Sequence, residues 1–197
     1  MRAVVTGASG FLGSHITKWL TERGDDVTAV GTFSSSSRQN FIGLDINPKM
    51  MVGDLRDISF ARNSLRNVNK VYHFAADIGN VAYTHGSESM EQSILRNNIA
   101  IDTNVIRACI ENKVGTIIYA SSVSVYPRSE QMGRKVEFKE EDSERLVEPE
   151  GGYGWAKYVA ERQLAVLADV KVGIARIFPL VSTYWSSLNR PSRKSST

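Results

Sequence analysis

This 197-residue sequence has a single cysteine, few histidines and no long apolar run. Cys109 alone excludes an intramolecular disulfide framework. With only three histidines, spread along the chain, we predict no metal site. No apolar run approaches the roughly 20 residues that a membrane helix needs, and the N-terminal residues lack a signal-peptide pattern. We therefore expect a cytoplasmic protein without a membrane segment.

Most of the chain also has no excess of charge of either sign. The net charge of +3 comes from residues 181–197, which hold three basic residues and no acid. A neutral body without an aromatic and basic stripe argues against nucleic-acid binding. Because the segment is rich in Ser and Arg and poor in apolar residues, we predict an irregular tail over 181–197.

Short apolar runs alternate with longer segments of helical periodicity along the rest of the sequence. The runs predict strands at 2–6, 27–30, 49–52, 70–75, 114–120 and 171–178. The periodic segments predict helices at 11–23, 57–66, 88–112 and 153–168, and the polar segment 128–150 predicts a loop. This alternation is typical of parallel strands joined by right-handed crossovers. The sequence therefore predicts a doubly wound, three-layer α/β fold with a parallel sheet over residues 1–180.

A glycine-rich loop follows the first predicted strand. Gly7, Gly10 and Gly13 have the spacing G-x-x-G-x-x-G, and Phe11 and Leu12 begin the next helix. Gly7 lets the chain turn, Gly10 lets a pyrophosphate approach the backbone, and Gly13 lets the helix pack near the sheet. The helix amides then face the anion. A tight turn that happens to carry glycines is the alternative, but the position between strand and helix favours dinucleotide binding.

The residues around the next two strand ends bear on the choice between NAD and NADP. An acid that binds the adenosine ribose normally ends the second strand, and Gly31 stands there instead. Arg38, in the following loop, is either a partner for a 2′-phosphate or a solvated side chain. Asp54, beside Leu55, is a candidate acceptor for the adenine amino group, and Asp54 or Asp57 is a candidate helix cap. Both cofactors remain open.

Tyr153 and Lys157 lie four residues apart, on one face of a predicted helix. A phenol with a pKa of about 10 is a poor base at neutral pH, and a neighbouring ammonium is expected to lower that pKa. The tyrosine would then exchange a proton with an alcohol. Serines 121, 122 and 124 end the fifth predicted strand, where a hydroxyl would lie beside Tyr153. Taken singly, these patterns also fit a solvated helix face and a polar strand end.

Together these features resemble the extended short-chain dehydrogenase/reductases, the NAD(P)-dependent nucleotide-sugar epimerases and dehydratases. The resemblance runs from Met1 to about Phe178 and implies a Rossmann-like fold. The motifs that carry it are the loop 7–13, Asp54, the run 73–76, Asn98 with Asn104, the segment 121–126, and Tyr153 with Lys157.

The resemblance implies roles for individual residues and for partners. Ser122, Tyr153 and Lys157 would be catalytic, with Tyr153 as the acid/base during hydride transfer at a sugar carbon. Cofactor contacts would come from Gly7, Gly10, Phe11, Leu12, Gly13, Arg38, Asp54, Leu55, Phe74, Ala75, Ala76, Asn98, Tyr153 and Lys157. Substrate contacts would come from Ile78, Gly79, Ser122 and Ser124. The substrate would be a nucleotide sugar, and a homodimer is possible.

Within the family, residues 75–79 and 119–127 are most similar to the 3,5-epimerases of GDP-sugars, in which a cysteine stands at the position of Ser124. Pro179 stands where the family has an asparagine that helps to bind substrate phosphate, and a proline offers neither an amide nor a side-chain donor. We also expect the family's C-terminal substrate region to be missing. Two alternatives to a nucleotide-sugar epimerase or dehydratase therefore stay open. One is a dinucleotide-binding module without catalysis, and the other is an NADPH-dependent carbonyl reductase.

Overall fold

Six parallel strands form one sheet in the computed structural model of the chain, which describes residues 1–34, 40–41, 44, 46–79, 83, 86–130 and 138–178. The strands are β1 Arg2–Thr6, β2 Asp26–Gly31, β3 Lys49–Val52, β4 Lys70–His73, β5 Thr116–Ser122 and β6 Lys171–Ile177. Their order is β3-β2-β1-β4-β5-β6, and each neighbouring pair is parallel. The order reverses between β1 and β4, as in a doubly wound Rossmann-like fold. The predicted fold class is confirmed.

Helices cover both faces of this sheet. The α-helices are α1 Phe11–Glu22, α2 Ile58–Ser64, α3 Glu88–Glu111, α4 Asp142–Arg145 and α5 Gly151–Ala165, and 3-10 turns occupy Val123–Val125 and Arg128–Glu130. Alternate residues of a strand point to opposite faces. Val4 of β1 therefore packs with α2, α3 and α5, whereas Ala3 and Val5 pack with α1. These two apolar layers fix the sheet between the helices.

Several element ends differ from the sequence prediction. β4 ends at His73, two residues before the predicted end, because residues 74–76 leave the sheet after the bond from the Phe74 amide to the Thr6 carbonyl. The predicted loop 128–150 contains α4, where Asp142 accepts a hydrogen bond from the Lys139 amide at 2.7 Å. One helical turn is too short to produce a readable apolar period, so the loop prediction is wrong there.

Three sequence predictions lie outside the described residues: Arg38, Pro179 and the tail 181–197. Within the part of the chain that is described, no helix is both long and apolar enough to cross a bilayer. The same residues include no cluster of three or more His, Cys, Asp or Glu side chains suited to a metal ion.

Candidate active site

An open cleft of about 960 Å³ runs along the carboxyl edge of the sheet. It crosses the point between β1 and β4 where the strand order reverses, which is where ligands bind in open α/β sheets. Its walls are the glycine-rich loop, the ends of β2 to β6 and the first turns of α5. This volume lies within the roughly 300–1,000 Å³ that is usual for ligand and cofactor sites.

The glycine-rich loop forms one end of the cleft. Gly7 has φ +64°, and a Cβ there would lie 2.6 Å from the Ala75 amide nitrogen, so a side chain is excluded both by conformation and by space. Gly10 precedes α1, and no side chain caps the helix there. The first-turn amides therefore face the cleft with the positive end of the helix dipole.

Gly13 lies in close contact with the chain that leaves β1. A Cβ at Gly13 would overlap the backbone of Gly7 and Ala8, including the Gly7 carbonyl. The absence of a side chain at Gly13 thus lets α1 pack against the turn that follows β1. This contact sets the direction of the first-turn amides.

The opposite wall of this end carries Gly31, Asp54 and Leu55. Asp54 accepts hydrogen bonds from Arg56, with the shortest at 2.6 Å, and these bonds lower the pKa of its carboxyl group. Asp57 is the cap of α2, where it accepts a bond from the Ser59 amide at 2.8 Å. Of the two candidate caps in the sequence, Asp57 is therefore the one used, whereas Asp54 lines the cleft with its carboxylate bonded to Arg56.

The segment after β4 lines the middle of the cleft. Its cleft-lining residues are Phe74, Ala75, Ala76, Ile78 and Gly79. Asn98 was expected among the cofactor contacts, but it is buried outside the cleft lining. It accepts a bond from the Asp77 amide and donates one to the Asp77 carbonyl, both at 2.8 Å. Asn98 thus holds this segment in place from behind, and its contact with a cofactor stays a prediction.

Ser122, Ser124, Tyr153 and Lys157 meet at the far end of the cleft. The turn after β5 brings the two serines together: the Ser122 hydroxyl donates to the Ser124 hydroxyl at 3.2 Å. The amide of Glu150 donates to the Ser124 carbonyl at 2.8 Å, which fixes the start of α5 against this turn. Lys157 Nζ lies 5.6 Å from the centre of the Tyr153 ring. The three expected catalytic side chains therefore line the same cleft.

The sequence model of the NAD dependent epimerase/dehydratase family matches residues 3–196. The chain belongs to this family. The match continues beyond Phe178, so the sequence interpretation ended the resemblance too early. GDP-mannose 3,5-epimerase 1 of Oryza sativa subsp. indica is 31% identical over 162 residues, which are 82% of this chain and 41% of that protein. The similarity to 3,5-epimerases of GDP-sugars is thereby confirmed, and the chain spans about two-fifths of the length of these curated relatives.

Solved structures of similar proteins have the same fold. A Thermus thermophilus UDP-glucose 4-epimerase in complex with NAD has a TM-score of 0.73 and 24% identity, over 89% of this chain and 54% of that one. A Methanobrevibacter ruminantium UDP-N-acetylglucosamine 4-epimerase in complex with UDP-N-acetylmuramic acid has a TM-score of 0.72 and 26% identity, with the same two coverages.

The electrostatics of the site in this epimerase/dehydratase family member differ from the sequence prediction. Burial, followed by the negative charge of Asp102, raises the pKa of Tyr153 above its ordinary value. Burial lowers the pKa of Lys157, against the opposing effect of the Asp102 and Glu161 charges. The predicted lowering of the tyrosine pKa by the ammonium is therefore wrong for this structure, because desolvation and a buried acid outweigh it.

A second polar cluster, which the sequence analysis missed, ties α5 to the strands behind the site. Arg176 of β6 donates to both carboxylate oxygens of Glu161, at 3.0 and 2.8 Å. Ser121 donates to the same carboxylate at 2.5 Å. A charged residue on an otherwise apolar helix face is the only sequence signal for such a cluster, and it does not identify the partner.

Proposed function

We propose that this protein binds NAD or NADP and acts on a nucleotide sugar as an epimerase or dehydratase, with hydride transfer at a sugar carbon and Tyr153 as acid/base. The observation that carries the proposal is the convergence of Ser122, Tyr153 and Lys157 at one end of a cleft whose other end is a glycine-rich helix start. Family membership supports the reaction class.

The residues present fit a dinucleotide. Gly7 and Gly13 let the turn and the start of α1 pack closely against the neighbouring backbone, and the uncapped start of α1 after Gly10 offers amide donors to a pyrophosphate. Asp54 and Gly31 would lie beside the adenosine, and Ala75 and Ala76 along the channel toward Tyr153. When bound, the nicotinamide ring supplies a reversible hydride acceptor.

Each catalytic side chain has a distinct task in this proposal. Tyr153, in its phenolate form, takes the proton of a sugar hydroxyl as that carbon is oxidised, and the resulting phenol returns the proton on reduction. Ser122 donates a hydrogen bond to the same sugar oxygen. Lys157 holds the nicotinamide ribose and stabilises negative charge at the Tyr153 oxygen. Ile78 and Gly79 border the place where the sugar would lie.

A binding module without catalysis is the second candidate. The observation that favours it is the open outer wall of the cleft, where Ile78 and Phe178 are each more than half exposed. Substrate positioning supplies a large part of an enzyme's rate, so cofactor binding without turnover is the result that this candidate predicts.

Identification of the bound nucleotide tests the proposal. The purified protein is denatured, and any released nucleotide is identified by mass spectrometry. NAD at near one equivalent, with turnover of a UDP- or GDP-sugar, is the result expected for an epimerase or dehydratase that recycles its cofactor. NADP(H) with oxidation of NADPH by aldehydes or ketones would indicate the carbonyl reductase instead. A protein that is empty and binds neither added cofactor would contradict the proposal.

The replacement Gly31→Asp is expected to favour NAD over NADP by at least about tenfold. A Cβ at Gly31 meets no atom closer than 3.7 Å, so a side chain fits there. A carboxylate would accept bonds from the ribose hydroxyls, worth about 1.5–3 kcal/mol, and would repel a 2′-phosphate. The dissociation constants of both cofactors, measured by fluorescence, check this.

Gly31→Asn is the matched control for charge, since it offers a similar side chain without repulsion of the phosphate. It should change the preference less than Gly31→Asp. An unchanged ratio in the aspartate variant would show that the adenosine ribose does not lie beside Gly31.

A further inference from the structure

The interior behind the cleft contains three fully buried charged side chains among the described residues: Asp102, Lys157 and Glu161. Burial of an ion costs several kcal/mol unless it is paired. Glu161 is paired with Arg176 through two hydrogen bonds. This leaves Asp102 of α3 and Lys157 of α5 as the remaining buried acid and buried base.

Asp102 accepts two hydrogen bonds deep in the core. His73 Nε2 lies 3.0 Å from Oδ1, and the Tyr119 hydroxyl donates to Oδ2 at 2.7 Å. Thr6 Oγ1 accepts from the Ala75 amide and lies 2.6 Å from His73 Nδ1. If the threonine hydroxyl donates to Nδ1, Nε2 donates to Asp102, and the carboxylate serves as an acceptor only.

The positive charge of Lys157 on α5 is the largest influence that favours the charged form of Asp102. Burial opposes the ionisation of Asp102, but the charge of Lys157 and the bonds from His73 and Tyr119 outweigh it and lower its pKa. Lys157 Nζ lies 4.5 Å from the centre of the Tyr119 ring. The same phenol thus contacts the ammonium with its face and the carboxylate with its hydroxyl, and it joins the two charges without direct contact.

We propose that Asp102 is the buried counter-charge of Lys157 and acts through it as a positioning residue for the Tyr153 and Lys157 pair. The inference rests on the proposed function for its catalytic meaning. Its structural part, the coupling of two buried charges across Tyr119, does not depend on turnover.

Five titratable or charged groups surround this pair. They are His73 on β4, Tyr119 on β5, Tyr153 and Glu161 on α5, and Arg176 on β6, which neutralises Glu161. The negative charge of Asp102 raises the pKa of Lys157 and of Tyr153 alike. Asp102 thereby favours an ammonium and a neutral phenol in the site, and its removal should lower both pKa values.

A double-mutant cycle in thermal unfolding tests the coupling without any cofactor. Asp102→Asn and Lys157→Met each leave one buried charge without its partner and should lower the Tm. The double variant should lose at most about half of the summed loss, because neither charge remains. Strictly additive losses would overturn the proposal. The asparagine keeps the shape of the aspartate, and its amide can donate to His73 if the ring changes tautomer, so this variant is expected to fold.

The pH dependence of NAD(P)H binding gives a readout that a purely structural role would not move. Loss of the Lys157 proton should weaken binding at alkaline pH. In Asp102→Asn the midpoint of that loss should move to lower pH by about one unit or more, as expected when an opposite charge is removed. Tyr119→Phe is the matched control, because it removes a hydrogen bond to Asp102 but keeps the carboxylate, and its midpoint should stay close to that of the wild type.

Failure of the Asp102 inference can be distinguished from failure of the proposed function. An unchanged midpoint in Asp102→Asn, in a protein that binds NAD(P)H, would overturn the role of Asp102. A wild-type protein that binds neither cofactor would instead contradict the proposed function, and the unfolding cycle would still decide whether Asp102 and Lys157 are coupled.

Discussion

Replacement of Tyr153 by phenylalanine is expected to lower turnover of a nucleotide sugar by about 10²–10⁴-fold, the usual contribution of a positioned acid or base. The ring remains to fill its place at the start of α5, and only the hydroxyl that exchanges the proton is lost. Cofactor affinity should change little, because the glycine-rich loop lies at the other end of the cleft. Single-turnover absorbance of the reduced nicotinamide, with UDP- and GDP-sugars as substrates, measures the effect.

The matched control for Tyr153→Phe is Tyr158→Phe. Tyr158 lies on the same helix, against the ring of Trp155, and is not part of the cleft lining. It should leave turnover near the wild-type value. Because the pKa of Tyr153 is raised in the structure, the oxidation step that uses the phenolate should accelerate as pH rises. Wild-type turnover in Tyr153→Phe would show that another group moves the proton.

Much of the fold was predictable because its strands are short apolar runs that alternate with helices. The β1 run Arg2–Thr6 and the β3 run Lys49–Val52 have the same ends in the sequence prediction and in the structure. Their apolar character and their alternation with helices were sufficient for the fold class. The end of β4 was not, because residues 74–76 remain apolar after they leave the sheet and line the cleft. An apolar run does not distinguish a strand from a cleft wall.

The site was predictable only as a set of residues. The loop Gly7–Gly13 and the residues Ser122, Tyr153 and Lys157 line one cleft, as expected from a sheet whose strand ends share an edge. The electrostatics were not predictable. Asp102 lies on the same helix face as Asn98 and Val105, so its burial was accessible to a periodicity argument. Its partners His73 and Tyr119 come from other strands, and only the fold brings them together.

Replacement of Gly13 by alanine is the second change with a large expected effect. Alanine favours a helix over glycine by about 1 kcal/mol, so propensity alone predicts stabilisation. The added methyl group would overlap the Gly7 carbonyl, which is held by a bond from the Gly10 amide at 2.9 Å. Overpacking against fixed backbone costs about 1–3 kcal/mol. Because the overlap is with backbone atoms of Gly7 and Ala8, we expect net destabilisation. The cofactor dissociation constant should rise tenfold or more, since the first-turn amides must move.

Gly31→Ala is the matched control, because it adds the same methyl group to another glycine of the cleft. Its Cβ would meet only ordinary contacts, with the nearest at 3.7 Å, and its backbone needs no positive φ. It should leave the Tm nearly unchanged. Urea unfolding and cofactor titration of the two variants separate the alternatives: a Gly13→Ala protein as stable as the Gly31→Ala protein would mean that the loop yields to the methyl group. In that case, the close contact between α1 and Gly7 would not determine the direction of the first-turn amides.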